Sequence, residues 1–240
     1  MEWRDEGVVI AVRRHGETSA IAELLTSAHG RCLGLVRGGR SRMQRPMLQP
    51  GNLVSAVWRA RLEDHLGAFQ LEPVALRAGT YIDDSFKLAG LSTLAALSQL
   101  LPEREPHARL YAALRLVIDT LDDDGVWPAM LVRWELGLLE ELGFGLDLAT
   151  CAATGFSNDL AYVSPKTGRA VSRSAGEPYR DRLFALPAFL NGGMATSPAE
   201  VAEGLRMTGY FMTRHLFEPR GLAAPDQRQW IIERLTQTPH

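Results

Sequence analysis

Lysine is nearly missing from this 240-residue chain: Lys87 and Lys166 stand beside 24 arginines. GC-rich coding produces the same bias, so where the arginines sit says more than how many there are. Cysteine is scarce as well. Cys32 and Cys151 are too few for the multiply bridged framework of a small secreted domain. The most apolar stretch, Leu88–Leu101, is short and broken by Ser, Thr and Gln, which excludes a membrane span there. The opening MEWRDEGVVIAV has acids where an export signal needs a basic stretch ahead of a long apolar run, so cytoplasm is the expected location. No G-x-x-x-x-G-K-[ST] loop, G-x-S-x-G elbow or H-E-x-x-H helix occurs. The six histidines are scattered, none at ligand spacing from another, and His15 and His29 sit beside glycines in expected turns. No nucleophile–base pair can be nominated, so an enzyme is not expected and no cofactor is implied.

What is present is segregated charge. Residues 1–80 hold 11 arginines against 8 acids, residues 81–150 hold 5 basic and 12 acidic, and residues 151–240 hold 10 and 8. The net charge of -2 therefore hides one end that attracts polyanions and a middle that repels them. Between Glu23 and Glu63 no acid occurs, while arginine appears at 31, 37, 40, 42, 45, 59 and 61. Arg37, Arg40, Arg42 and Arg45 flank the Gly38-Gly39 turn, and Arg59 and Arg61 are two apart and so share one face of a strand. Unpaired, converging guanidinium groups suit a phosphate backbone, since each can bond phosphate oxygens bidentately and binding releases counterions. The bland alternative is that they solvate the wet side of a half-buried sheet. Only Trp3, Trp58 and Phe69 are aromatic in the first 80 residues, and Trp58 falls on the apolar Val54/Ala56 face. Electrostatics is thus expected to outweigh base stacking, with little sequence preference.

Periodicity divides the chain. GVVIAVRR, TSAIAELLTS, RCLGLVRGG, GNLVSAVWRARLE and GAFQLEPVAL read as five short strands ended by turn residues, with Pro73 hinting at an edge. Five strands in so short a span suggest a small barrel of the OB type. From Asp83 the period turns helical. Helices are expected over DDSFKLAGLSTLAALSQLL, over HARLYAALRLVIDTLDD, and from Pro128 to the stop at Gly143. Ser197-Pro198-Ala199-Glu200 reads as a capping box, and a last helix is expected over 225–235. The fold class expected is α+β: an OB-type barrel over 1–80, then a helical domain over 81–240 with a turn-rich insert at 150–178.

The stretches RRHGETSAIAELLTSAHGRCLGLVRGGRSRM, LQPGNLVSAVW and RWELGLLEELGFGLDLATC resemble the RecO recombination mediator family. The resemblance implies an N-terminal OB barrel and a helical domain. It also implies binding of single- and double-stranded DNA, strand annealing, and work with RecR to load RecA onto strands coated by single-strand-binding protein. On charge clustering and resemblance together, Arg13, Arg14, Arg37, Arg40, Arg42, Arg45, Arg59 and Arg61 are the expected DNA contacts. Arg133 matches a basic position near the family's pocket for the acidic tail of single-strand-binding protein; the alternative is a surface arginine paired with Glu140 or an aspartate. Many relatives hold zinc with two Cys-x-x-Cys pairs. Here those places read Cys151-Ala152-Ala153-Thr154 and Ser172-Arg173-Ser174-Ala175, so no metal is expected. The insert should instead hold by packing of Phe156, Tyr162, Val163, Val171 and Tyr179. Two other functions stay open: an RNA-binding OB protein, and a metal-dependent phosphodiesterase using Asp122, Asp123 and Asp124.

Overall fold

The structure, a computed structural model, describes residues 1–62, 65–193 and 197–237. The five apolar runs become strands β1 (Glu2–His15), β2 (Ser19–Thr26), β3 (Gly30–Val36), β4 (Leu53–Arg59) and β5 (Ala68–Ala75). In β3 the alternation is clean: Gly30, Cys32, Gly34 and Val36 are buried, and the residues between them are half-exposed. β1 begins five residues before its apolar run. Its first half pairs with β4, from Glu2↔Arg59 to Val8↔Leu53, and its second half with β2, from Gly7↔Thr26 to His15↔Ser19. A register shift between Val9 and Ala11 lets one strand bend between two partners. The ring closes in the order β1-β2-β3-β5-β4 through a single parallel bridge, Leu35↔Ala68. This is an OB-type barrel. β5 pairs with β4 along its length, Val54↔Pro73 included, and with β3 only at Ala68, so Pro73 lies on a strand with one largely unpaired edge.

Val9, Ala22, Leu24, Val54 and Ala56 fill the barrel, with Trp58 and Phe69 among them. Each large apolar side chain so buried contributes about 1.5–3 kcal/mol over leaving it in water. Gly34 is required by this packing, since a Cβ there would lie 2.4 Å from the Phe69 ring. The barrel also recruits helical sequence. The first compact unit runs to Asp119 and includes α1 (Arg77–Thr80), α2 (Ser85–Ser98) and α3 (Ala108–Asp119). Asp84 caps α2 by accepting from the Phe86 and Lys87 amides at 3.1 and 3.2 Å. The Tyr111 hydroxyl of α3 donates to the Glu6 carbonyl at 3.2 Å. Gly30, at φ +63°, lets the Glu105 backbone lie against the start of β3, where a Cβ would fall 1.9 Å from its carbonyl oxygen. The change of period near residue 80 therefore separates strands from helices, while the compact unit extends past it.

The second unit begins at Thr120. It contains α4 (Trp127–Glu141), α5 (Arg173–Gly176), α6 (Pro198–Met212), α7 (Asp226–Gln237) and a three-stranded sheet, β7 (Ala170–Ser172), β6 (Leu160–Val163), β8 (Phe184–Ala185), in that order. Of the residues expected to hold the insert, Val163 and Val171 are buried and Tyr162 is half-buried. Phe156 and Tyr179 are exposed, because the loop that carries Phe156 and the short 3-10 helix that carries Tyr179 lie outside the sheet. Ser197 caps α6, accepting from the Glu200 amide at 3.2 Å. The Glu200 carboxylate accepts from the Ala188 amide at 2.6 Å. No described helix is long and apolar enough to cross a membrane.

Candidate nucleic-acid interface

Six of the eight arginines proposed as contacts from sequence line two clefts on the barrel. Arg37, Arg59 and Arg61 line one of about 630 Å³, with Val57, Phe69 and Gln70 among its walls. Arg14, Arg40 and Arg45 line another of about 340 Å³ beside Val12, Ala20 and Leu48. The segment from Arg37 to Pro50 is the wall they share: Arg37 and Gln44 face one cleft, Arg40 and Arg45 the other. It is not a free loop. Met47 and Leu48 are buried in the barrel core, and the Asn52 side-chain amide donates to the Pro46 and Met47 carbonyls at 2.8 and 3.2 Å. The guanidinium groups are therefore carried on an anchored support.

Two of the eight stand apart. Arg13 projects from the strand face opposite Arg14, and Arg42 is exposed on the loop outside both clefts. Arg61 lies beyond the end of β4, yet lines the cleft with Arg59. The window free of acids does not make its arginines free of partners. Arg59 Nε lies 2.9 Å from the Glu2 carboxylate, its cross-strand neighbour, and Arg31 pairs with Glu23 and Glu103. The hydrogen bond from Arg59 holds the Glu2 carboxyl below its ordinary range. Arg40 donates to the Gly16 and Glu17 carbonyls at 3.1 and 2.6 Å, which position it without neutralising it. Among the described residues, Arg14, Arg37, Arg40, Arg45 and Arg61 have no carboxylate partner. Glu63 and Asp64, which bound the acid-free window, lie outside the described residues.

Sequence reasoning missed a ring cluster elsewhere on the barrel. Trp58 is buried as expected, its indole N–H donating to the Leu33 carbonyl at 3.1 Å. Trp3 stacks with it at 5.7 Å between centroids, and His29 stacks on Trp3 at 4.2 Å. His29 is thus a stacking residue as well as a turn residue, and no local pattern marks it. Cys32 lies beneath, and burial pushes its thiol up to about 11.

In the second unit, among the described residues, Arg133 pairs with neither Glu140 nor an aspartate. Its guanidinium donates to the Phe189 carbonyl at 2.6 Å. A cleft of that unit, about 870 Å³, is lined by Tyr210, Phe217, Arg206 and Arg214, and Arg133 lies outside it. Asp123 and Asp124 serve the entry to α4: Asp123 accepts from the Gly125 amide at 3.0 Å and Asp124 from the Trp127 indole at 3.3 Å. Among the described residues no group of three or more His, Cys, Asp or Glu is placed to hold a metal ion. The zinc pattern's two halves do meet, since Cys151 Sγ lies 3.4 Å from Ser172 Oγ and both are buried. One thiol beside hydroxyls is not the donor set of a structural zinc site. Burial disfavours the charged form of Cys151, but hydrogen bonds from Ser172 and Thr154 overcome it and draw the thiol down to about 6.

Fold and clefts together define a class: an OB-type barrel with arginine-lined clefts, followed by a helical unit bearing a small antiparallel sheet. Two family models cover nearly all of it, "Recombination protein O N terminal" over residues 1–77 and "Recombination protein O C terminal" over residues 82–222. The chain belongs to the RecO family. It is 55% identical over 237 residues to the DNA repair protein RecO of Mesorhizobium japonicum, covering 98% of this chain and 94% of that one. To the proteins of the same name from Methylobacterium nodulans and Rhodopseudomonas palustris it is 53% and 54% identical, with at least 97% of each chain covered.

Proposed function

We propose that this protein acts in DNA repair and recombination as a DNA-binding mediator, with the barrel of residues 1–80 as its nucleic-acid-binding domain. The observation that carries the reading is the pair of adjoining clefts, whose six arginines include five without a carboxylate partner among the described residues. Annealing needs no active site. A cationic surface that holds two strands offsets their mutual repulsion and raises their local concentration. Family membership supports the further reading that the protein works with RecR to load RecA onto strands coated by single-strand-binding protein. Arg133, exposed on α4 with donors beyond the one given to Phe189, is the proposed contact for that protein's acidic tail. Loss of tail-peptide binding in Arg133→Ala is the expected outcome.

Fluorescence anisotropy of labelled single strands across a salt series tests the main reading. Five phosphates met by the five arginines give a slope of log K against log salt of about -3.5. Arg37→Ala with Arg61→Ala should weaken binding roughly tenfold, alike for all sequences, and flatten the slope by about 1.4. Unchanged affinity in that double variant would remove the clefts from the interface. Competition with RNA of the same sequence separates DNA from RNA preference.

A further inference from the structure

A third cleft on the barrel, about 370 Å³, is lined by Met1, Glu2, Trp3, Ala28, His29, Cys32, Trp58 and Arg104. Its volume falls in the range of small-molecule sites, about 300–1,000 Å³. Three of its rings are nearly parallel: His29 is inclined 15° to Trp3, and Trp58 14° to Trp3. Phe69 meets Trp3 edge-on at 6.0 Å, so the stack is braced from the core. The turn that carries His29 is held from three sides. The His29 amide donates to Thr26 Oγ1 at 3.1 Å, the Ala28 amide to Asp5 Oδ2 at 3.0 Å, and the Cys32 thiol to the His29 carbonyl at 3.1 Å.

Arg104 completes the cleft. It has left-handed backbone, φ 62°, rare for a side chain of this size. Its amide donates to the Arg31 carbonyl at 2.9 Å, and its guanidinium to the His65 carbonyl at 2.9 Å. The cleft's other charges are the Met1 ammonium, which donates to the Ala60 carbonyl at 2.7 Å, and Glu2, already matched by Arg59. The balance is cationic. Through the Glu2–Arg59 pair this cleft also adjoins the one lined by Arg37, Arg59 and Arg61.

We propose that this cleft takes one unstacked nucleobase of a single-stranded nucleic acid, which continues the ring stack at His29 with the Arg104 guanidinium alongside it. Aromatic and guanidinium planes accept any base, because every base has a π-face. Duplex DNA keeps its bases stacked inside and offers none to the site. The inference rests on the nucleic-acid reading above but adds a contact that phosphates alone cannot make.

The test compares the full chain on a labelled oligothymidylate and on an abasic strand with the same number of phosphates. The intact strand is expected to bind at least about fivefold tighter, the low end of one base–aromatic stack. His29→Ala should shrink that preference while leaving abasic-strand affinity and the salt slope in place, Arg104→Ala should shrink it too, and His29→Phe should keep it. Arg37→Ala with Arg61→Ala should weaken both strands and preserve their ratio. Equal affinity of the unaltered protein for the two strands, with normal salt dependence, overturns the base cleft and leaves the arginine interface standing. Binding of neither strand overturns both. The unaltered protein decides the question by itself, so a poorly folded variant cannot blur it.

Discussion

Arg59 and Arg61 line one cleft, yet only Arg59 has a described acid beside it. On the proposed interface Glu2 stands where a phosphate oxygen would, and nucleic acid would have to displace it to use Arg59 fully. Glu2→Gln should tighten single-strand binding by roughly twofold to fivefold at low salt, with the gain fading at high salt as surface charges are screened. An unchanged anisotropy titration would mean Arg59 does not meet phosphate. Cys151 offers a second test at this scale. Its folded value near 6 lies below the ordinary thiol value of about 8.5, so the thiolate stabilises the fold fully above the unfolded value. That contribution is lost as pH falls through the window from about 8.5 to 6. Thiolate absorbance in the ultraviolet should titrate with a midpoint near 6 and vanish in Cys151→Ser; a midpoint above 8 would contradict the hydrogen-bond account. The sequence showed that the zinc ligands are missing. Local pattern could not place Ser172 beside Cys151; the family resemblance implied it, and the turn from Cys151 and the sheet containing β7 bring the two together.

At the scale of elements, α4, α6 and α7 are joined by a buried polar network. Arg228 donates to both Glu135 oxygens, at 2.7 and 2.9 Å, and to Thr208 Oγ1 at 3.0 Å, with Leu205's carbonyl as a further acceptor. Glu135 is fully buried and Arg228 is 6% exposed. Removing one partner leaves the other charge buried and uncompensated, which costs about 3–5 kcal/mol. Glu135→Ala should lower the urea-unfolding free energy by that amount, whereas Glu135→Leu with Arg228→Met should recover much of it. A loss under about 1 kcal/mol in the single variant would mean the pair is more hydrated than its burial implies. From sequence, Glu135 belonged to an acidic helix, and nothing local distinguished it from Glu140 or Glu141. Its partner lies 93 residues away.

For the molecule as a whole, the barrel depends on sequence that follows it. The Glu6 carbonyl is bonded by Tyr111, Arg31 pairs with Glu103, and the Glu105 backbone packs on Gly30. A fragment of residues 1–119 should therefore melt cooperatively with native sheet signal and bind single strands. A fragment of residues 1–80 should melt well below it, having lost these contacts and the cover of α2 and α3. Equal melting temperatures by circular dichroism would show that the barrel stands without the helices. The net charge of -2 is no obstacle to polyanion binding, because a cleft responds to its own arginines within a Debye length of about 8–10 Å.

Local pattern determined a good deal: five strands from alternation and turn residues, helix starts from the Asp83-Asp84 pair, Pro128 and Ser197, and an arginine-rich amino-terminal segment. These features are legible because each is a relation among neighbours, with a period of two or of about 3.6 residues. Tertiary structure alone decided which arginines share a cleft, that Glu2 claims Arg59 across 57 residues, that Trp3, His29 and Arg104 meet, and that Glu135 finds Arg228. Strand register and helix packing set those pairings, and contacts between distant residues leave no periodic trace in the chain.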